Sequence, residues 1–185
     1  ARAAFQQALR LGYDQAQTYL GLGRAYRGAG QQDAALEIYR QVLAKDLASA
    51  TDEVYAALGM DLLSLGQTDE AVQACRKALQ KNEHHWAAQV TWGKSLYLQG
   101  NFQEALSHFR QAMSLHPNSA AQFGLGLVYL RAGQVEEARR AYAEGVKNFG
   151  APEAEKIGAV EDLKALLKEG IQAAEARALL EAYWK

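Results

Sequence analysis

The chain has 185 residues, of which 49% are hydrophobic, and this composition excludes a disordered polymer. Twenty lysines and arginines against twenty-one acidic residues leave a net charge of −1, which does not favour nucleic-acid binding, since that usually requires a basic face. No apolar run reaches the roughly 18 residues of a membrane span, and the single cysteine, Cys75, excludes an internal disulfide.

Residues 1–15 have the pattern of a helix that is already in mid-course. The chain begins with Ala1 rather than methionine, and no capping residue precedes the segment ARAAFQQALRL. We therefore expect a fragment or a processed chain, whose upstream signal or domain would lie outside this sequence.

Residues 16–152 contain four stretches that share one pattern. In the first, the large–small pair Leu22-Gly23 precedes a polar turn at Gly30, and Ala35 is followed four residues later by Tyr39. The turn glycines are spaced by 36, 34 and 33 residues and are Gly30, Gly66, Gly100 and Gly133. The pattern predicts helix pairs in which a left-handed glycine ends the first helix. Acidic residues then complement the dipole where the second helix begins, namely Asp33, Asp69, Glu104 and Glu136.

The first helix of each pair also contains an interior glycine. These residues are Gly23, Gly59, Gly93 and Gly126, and each costs about 1 kcal/mol relative to alanine. We expect close helix approach to offset that cost, with the glycines opposite the small residues of the second helices. Those small residues are Ala35, Ala71, Ala105 and Ala138.

This pattern resembles the tetratricopeptide repeat, a helix–turn–helix unit of about 34 residues. The unit 86–118 matches best, with family residues at Trp92, Gly93, Leu96, Gly100, Ala105, Phe109, Ala112 and Pro117. Further units are predicted at 16–49, 52–85 and 119–152, and residues 1–15 correspond to the second helix of a truncated repeat. The resemblance implies an all-α fold, a right-handed superhelical array of antiparallel helix pairs whose first helices line a concave groove.

Residues 153–185 do not continue the repeat and predict a C-terminal capping helix pair. An apolar stripe from Ile157 to Leu167 indicates one helix to about Glu169, and Gly170 separates it from a second helix ending near Tyr183. Such a pair would cover the apolar end of a repeat array. The alternative is that Tyr183 and Trp184 form a docking tip for a partner or a second copy, which would give a homo-oligomer.

No group of residues in the sequence predicts catalysis, a metal site or a cofactor, so we do not expect an enzyme. His84 and His85 are adjacent at a turn, and His108 and His116 are about two helical turns apart, too far for one metal. Cys75 occupies a position that the other repeats fill with Tyr39, Phe109 or Tyr142, which predicts a buried apolar side chain rather than a nucleophile.

By the family's geometry, the groove-facing positions are mostly apolar with basic residues among them and one acid, Glu53. The predicted binding residues are Leu20, Arg24, Arg27, Met60, Leu63, Val90, Lys94, Tyr97, Phe123, Leu127, Leu130 and Arg131. We expect exposure for Leu20, Met60 and Tyr97, whereas Leu127 and Leu130 would equally suit packing against the tail. The Lys and Asn clamp that some family members use for chaperone tails is not matched.

These residues predict a protein-interaction scaffold of bacterial character that binds an amphipathic helix or an extended peptide with acidic and apolar side chains. The expected partner is another protein or peptide, with no nucleic acid, no transmembrane segment in this part and no cofactor. Alternatives are the targeting arm of a larger enzyme, a self-assembling protein, or an assembly factor of an envelope machine. The expected compartment is the cytoplasm, or the periplasm if an upstream signal exists.

Overall fold

The computed structural model describes residues 2–13, 15–45 and 47–184, and all regular elements in these ranges are α-helices. They are α1 Arg2–Arg10, α2 Ala16–Gly28, α3 Gln32–Lys45, α4 Asp52–Ser64, α5 Thr68–Lys81, α6 Trp86–Leu98, α7 Phe102–Leu115, α8 Ser119–Arg131, α9 Val135–Phe149, α10 Ala151–Lys156, α11 Ala159–Glu169 and α12 Ala173–Tyr183. The chain divides into two compact units, Ala1–Ser95 and Leu96–Lys185, which are described separately.

In unit 1, α2 packs against α3 and α4 packs against α5 as two helix hairpins. Each hairpin turns at a glycine with a φ of 75°, Gly30 in the first and Gly66 in the second. The backbone N–H of Gln31 donates to the Tyr26 carbonyl across the first turn, and that of Gln67 donates to Leu62 across the second. The predicted left-handed glycines are confirmed at these turns, as they are at Gly100 and Gly133 in unit 2.

The core of unit 1 lies between the helices of these pairs. Its fully buried side chains include Tyr39, Tyr55, Leu58, Leu62 and Cys75. Burial raises the pKa of the Cys75 thiol to about 12. The prediction that Cys75 is a buried apolar side chain is therefore confirmed, because a thiol with this pKa and no exposure is not a nucleophile at neutral pH.

The interior glycines permit close helix approach; the predicted neighbour Ala71 is present at Gly59, but the neighbours at Gly23 and Gly126 differ from those predicted. A Cβ at Gly23 would overlap the ring of Tyr39, and one at Gly126 would lie 2.8 Å from Cδ2 of Tyr142. At Gly59 the nearest atoms are Cys75 Sγ at 2.9 Å and the Ala71 carbonyl oxygen at 3.3 Å. At Gly23 and Gly126 the missing side chain thus makes room for an aromatic ring, four residues after the small residue that was expected to face it.

In unit 2, α8 packs against α7 and α9, and the three tail helices follow. The single helix predicted up to Glu169 is wrong, because Gly158 has a φ of 85° and divides the segment into α10 and α11. The last helix starts at Ala173 rather than near Ile171, since Gly170 and Gln172 both have positive φ angles, 75° and 45°.

The tail packs onto the last predicted repeat. Helix α11 contacts α8, and α12 contacts α9, so the two final helices form a pair stacked on the pair before them. One buried cluster joins the two elements, with Phe123, Leu127 and Leu130 from α8 and Leu163 and Leu166 from α11. Within the described ranges, none of the helices has both the length and the hydropathy that a bilayer crossing requires.

Candidate functional site

Five of the twelve predicted binding residues are buried. Leu20, Phe123, Leu127, Leu130 and Val90 have exposed fractions between 0% and 7%. For Leu20 the expected exposure is wrong, because its side chain belongs to a core cluster that includes Ala56 and Leu58 of α4, the helix packed against α2. Residues this inaccessible do not contact a ligand while the chain keeps this packing.

The burial of the α8 residues has a direct cause in the tail. Leu127 and Leu130 share a cluster with Leu163 and Leu166 of α11, so the alternative that they pack against the tail is confirmed. Phe123 lies beside the Tyr142 ring, with 5.8 Å between ring centroids. The apolar residues that the sequence predicts at one end of the groove, Phe123, Leu127 and Leu130, therefore belong to the hydrophobic core of unit 2.

Arg24 and Arg27, the predicted basic end, are partly exposed and share one carboxylate. Arg24 Nε donates to Asp61 Oδ2 at 2.6 Å, and Arg27 Nη1 lies 2.8 Å from Asp61 Oδ1. The Asp61 side chain is 6% exposed, against 47% for Arg24 and 36% for Arg27. Arg27 also donates to Ser64 Oγ at 2.7 Å. Helices α2 and α4 are thus joined by ion pairs among Arg24, Arg27 and Asp61, which we refer to as the triad.

The predicted binding residues did not include Asp61, a buried acid on α4 that pairs with Arg24 and Arg27. Two features of the sequence could have revealed it. Asp61 interrupts the apolar run of α4 between Met60 and Leu62, and it follows Arg24 by 37 residues, about one repeat. A charge in an apolar helix requires a partner when it is buried, and a partner one period away is available in any stacked array.

Tyr39 lies below this triad. Its side chain is fully buried, and its hydroxyl is close enough to Asp61 to be affected by that carboxylate. Burial raises the pKa of Tyr39 to about 12, and the nearby negative charge of Asp61 adds to that shift. The phenol therefore remains neutral at all physiological pH values.

An apolar patch adjoins the triad on α4. Met60 is 55% exposed and Leu63 is half-buried. Met60 and Ser64 are four residues apart and therefore lie on one side of the helix, where Ser64 is bonded to Arg27. We refer to Arg24, Arg27, Met60, Leu63 and Ser64 together as the first-helix surface, since α2 and α4 are the first helices of their pairs.

In unit 2 the structure brings together two other predicted residues, Tyr97 and Arg131. The Arg131 guanidinium lies 5.8 Å from the centre of the Tyr97 ring and 5.7 Å from that of Phe102. Its Nη1 pairs with Glu169 of the tail at 2.8 Å. Leu98, beside Tyr97, is 62% exposed. The remaining predicted residue, Lys94 of unit 1, is half-buried on α6.

Trp184 packs inward and does not form a docking tip. Its indole N–H donates to the Ala151 carbonyl at 3.2 Å, and its ring meets the Tyr142 ring edge-on with centroids 6.5 Å apart. Among the described residues, the exposed large hydrophobic side chains are Leu11, Tyr13, Met60, Trp86 and Leu98, none of them in the tail. The tail thus packs its apolar residues, buried or half-buried, against the rest of unit 2.

The histidines show no shared metal site. His84 is exposed and lies 3.5 Å from Glu83, while Nδ1 of His85 accepts the backbone N–H of Ala88 at the start of α6. Within the described part of the chain, no three His, Cys, Asp or Glu side chains are grouped as metal ligands would be.

Comparison with known proteins agrees with this geometry. One model of the tetratricopeptide repeat matches residues 1–50 and 90–153, and a second model of that repeat matches 52–85. Human protein O-mannosyl-transferase TMTC2 is 31% identical over 97 residues, which are 52% of this chain but 12% of that protein. The chain therefore spans only a small part of this curated relative.

Solved structures that share the fold include MamA and YrrB. MamA superposes with a TM-score of 0.67 at 22% identity, covering 79% of this chain and 85% of its own. YrrB, described as a TPR protein with an unusual peptide-binding site, superposes with a TM-score of 0.66 at 24% identity, covering 84% of this chain and 81% of its own. The family models match more than half of the sequence, and the helix pairs follow the same period. The chain belongs to the tetratricopeptide repeat family, whose all-α arrays are typically non-catalytic protein-interaction scaffolds.

Proposed function

We propose that this protein binds an extended or helical segment of another protein on the first-helix surface of unit 1. The observation that carries the proposal is the exposure of Met60, a flexible apolar side chain that is 55% exposed on α4, the helix whose Asp61 pairs with the partly exposed Arg24 and Arg27. Exposed methionine adapts to apolar partners, and arginine is enriched where proteins recognise carboxylates. The expected partner segment therefore combines apolar and acidic residues.

The buried positions narrow the proposed binding set. We retain Arg24, Arg27, Met60 and Leu63 as the main contacts in unit 1, with Lys94 as a further basic residue. Tyr97 and Arg131 form a second, separate candidate in unit 2, where Leu98 supplies exposed apolar area. Because Arg131 is already paired with Glu169, we expect unit 2 to contribute less to the recognition of acidic residues.

A second candidate function is the recognition arm of a longer protein. The match to 12% of the length of human TMTC2 favours it, since a sequence of this kind forms one part of that relative. Both candidates use the same surface, and they differ in what the rest of the protein does.

The test is a binding series with fluorescently labelled peptides, measured by anisotropy. The panel contains an apolar peptide with one central aspartate, and versions with asparagine or lysine in its place. We expect the aspartate peptide to bind best. Met60→Asp should weaken its binding by about tenfold, because a charge would replace an apolar contact and face the partner's carboxylate.

The matched control is Gln80→Asp, an exposed position on α5, the second helix of the same pair. It adds the same charge to unit 1 outside the first-helix surface and should leave the affinity within about twofold of wild type. The same affinity in the Met60→Asp variant and wild type would overturn the proposal, as would a wild-type protein that binds none of the peptides.

A further inference from the structure

Asp61 has a role that its burial and its two partners define. We propose that Asp61 is the specificity-determining residue of the first-helix surface, which it restricts to partner segments with one isolated carboxylate beside an apolar residue. The inference rests on the proposed function and concerns which segments that surface selects. Asp61 itself is a positioning residue, since its side chain is 6% exposed and acts through Arg24 and Arg27.

The geometry assigns each oxygen of the carboxylate to one arginine. Oδ2 accepts from Arg24 Nε at 2.6 Å, and Oδ1 lies 2.8 Å from Arg27 Nη1. Arg27 is also bonded to Ser64 Oγ, whose own hydroxyl donates to the Asp61 carbonyl oxygen at 2.7 Å. Both guanidinium groups are therefore fixed before a partner arrives, which lowers the entropic cost of recruiting them.

The charges explain why the surface needs an internal acid. Arg24 and Arg27 are three residues apart on α2, so their guanidinium groups are neighbours and repel each other. The shared carboxylate below them offsets one of the two positive charges, and the triad has a net charge of +1. Since Asp61 is buried and takes part in both ion pairs, it cannot move aside to leave both arginines for a partner.

A partner carboxylate can still bind from the solvent side. Arg24 is engaged through Nε and Arg27 through Nη1, while the side chains remain 47% and 36% exposed. One carboxylate from a partner would neutralise the remaining charge. A second, adjacent carboxylate would find no further cation in the triad and would be repelled by Asp61. Met60, on the same side of α4 as Ser64, supplies the contact for the neighbouring apolar residue.

The test compares three peptides that differ only in charge: an apolar sequence with no aspartate, with one, and with two adjacent aspartates. In wild type the one-acid peptide should bind at least as tightly as the two-acid peptide. Asp61→Asn keeps the side-chain shape and raises the triad to +2. We expect this variant to raise the affinity ratio of two-acid to one-acid peptide by about three- to fivefold, the size expected for one partly screened charge.

A second variant covers the case in which Asp61→Asn unfolds. Arg24→Gln changes a half-exposed side chain and brings the triad to zero charge, so the preference for one acid over none should fall by about three- to fivefold. Circular dichroism checks the fold of both variants. The ratios of affinity between peptides of different charge are the decisive readout, because a purely structural role would weaken the binding of all three peptides equally.

If the affinity ratio of two-acid to one-acid peptide were the same in wild type and in a folded Asp61→Asn variant, the role of Asp61 would be overturned. Peptide binding itself would still support the proposed function. An unchanged one-acid preference in Arg24→Gln would overturn the role of Asp61 in the same way. Failure of wild type to bind any of the three peptides would instead overturn the proposed function, and this inference with it.

Discussion

Gly23 and Tyr39 form the contact on which the first helix pair depends. The glycine leaves space for the edge of the phenol ring, which is fully buried and cannot turn away. A helix-interior glycine costs about 1 kcal/mol, and burial of an aromatic side chain contributes more than that. The same arrangement occurs in unit 2 between Gly126 and Tyr142.

Gly23→Ala should therefore destabilise the protein although alanine favours helices. Overpacking costs about 1–3 kcal/mol, and overlap with a buried ring places Gly23→Ala in the upper half of that range. The gain in helix propensity offsets about 1 kcal/mol, so we expect a net loss of about 1–2 kcal/mol. Urea unfolding followed by circular dichroism measures the change. Gly28→Ala is the matched control, since a Cβ there meets no atom within 4 Å, and it should be neutral or slightly stabilising. A Gly23→Ala variant as stable as wild type would contradict this account.

Single residues differ in how far the sequence predicts them. Cys75 was predictable because three other repeats hold an aromatic residue at its position, and periodicity carries that information to the fourth. Asp61 stands out in the sequence as a charge within an apolar run, but its ion pairs were not predictable, because they depend on side chains that reach from α2 across to α4. The predicted exposure of Leu20 was wrong for a similar reason, since the width of the buried stripe on α2 is set by how closely α4 packs against it.

At the level of helices, the tail is where the sequence pattern and the structure differ. The stripe from Ile157 to Leu167 is continuous and predicts one helix, yet Gly158 adopts a φ of 85° that ends α10 and allows α11 to start in a new direction. Helical periodicity identifies which residues are buried but does not reveal a change of axis at a glycine. The predicted capping role did not depend on that detail, because the buried residues of the stripe still reach α8.

Leu163→Ala tests the packing of the tail against the rest of unit 2. Leu163 is fully buried in the cluster with Leu127 and Leu130, and a cavity there should cost about 2–5 kcal/mol. Lys164→Ala, at an exposed position next to it on α11, is the control and should change stability by less than about 0.5 kcal/mol. Equal unfolding midpoints in urea for the two variants would show that α11 does not share a core with α8.

At the scale of the whole chain, the period predicts the scaffold far better than it predicts the surface. Four turn glycines and four large–small pairs were sufficient for the family and for the helix pairs, because these features repeat. The first-helix surface depends on Arg24, Arg27, Asp61 and Met60, which do not recur from one repeat to the next. The proposed recognition therefore depends on residues that differ between repeats, and their contacts with one another are seen only in the structure.

The central claim is that a partner segment binds the exposed sides of α2 and α4. Hydrogen–deuterium exchange with mass spectrometry, with and without the one-acid peptide at saturation, tests it most directly. We expect slower amide exchange in the proteolytic fragments that cover α2 and α4, around Arg24 and Met60. Exchange in the exposed part of α5 near Gln80 should change little. Protection confined to α5 or to the tail helices, with exchange in α2 and α4 unaltered, would contradict the account.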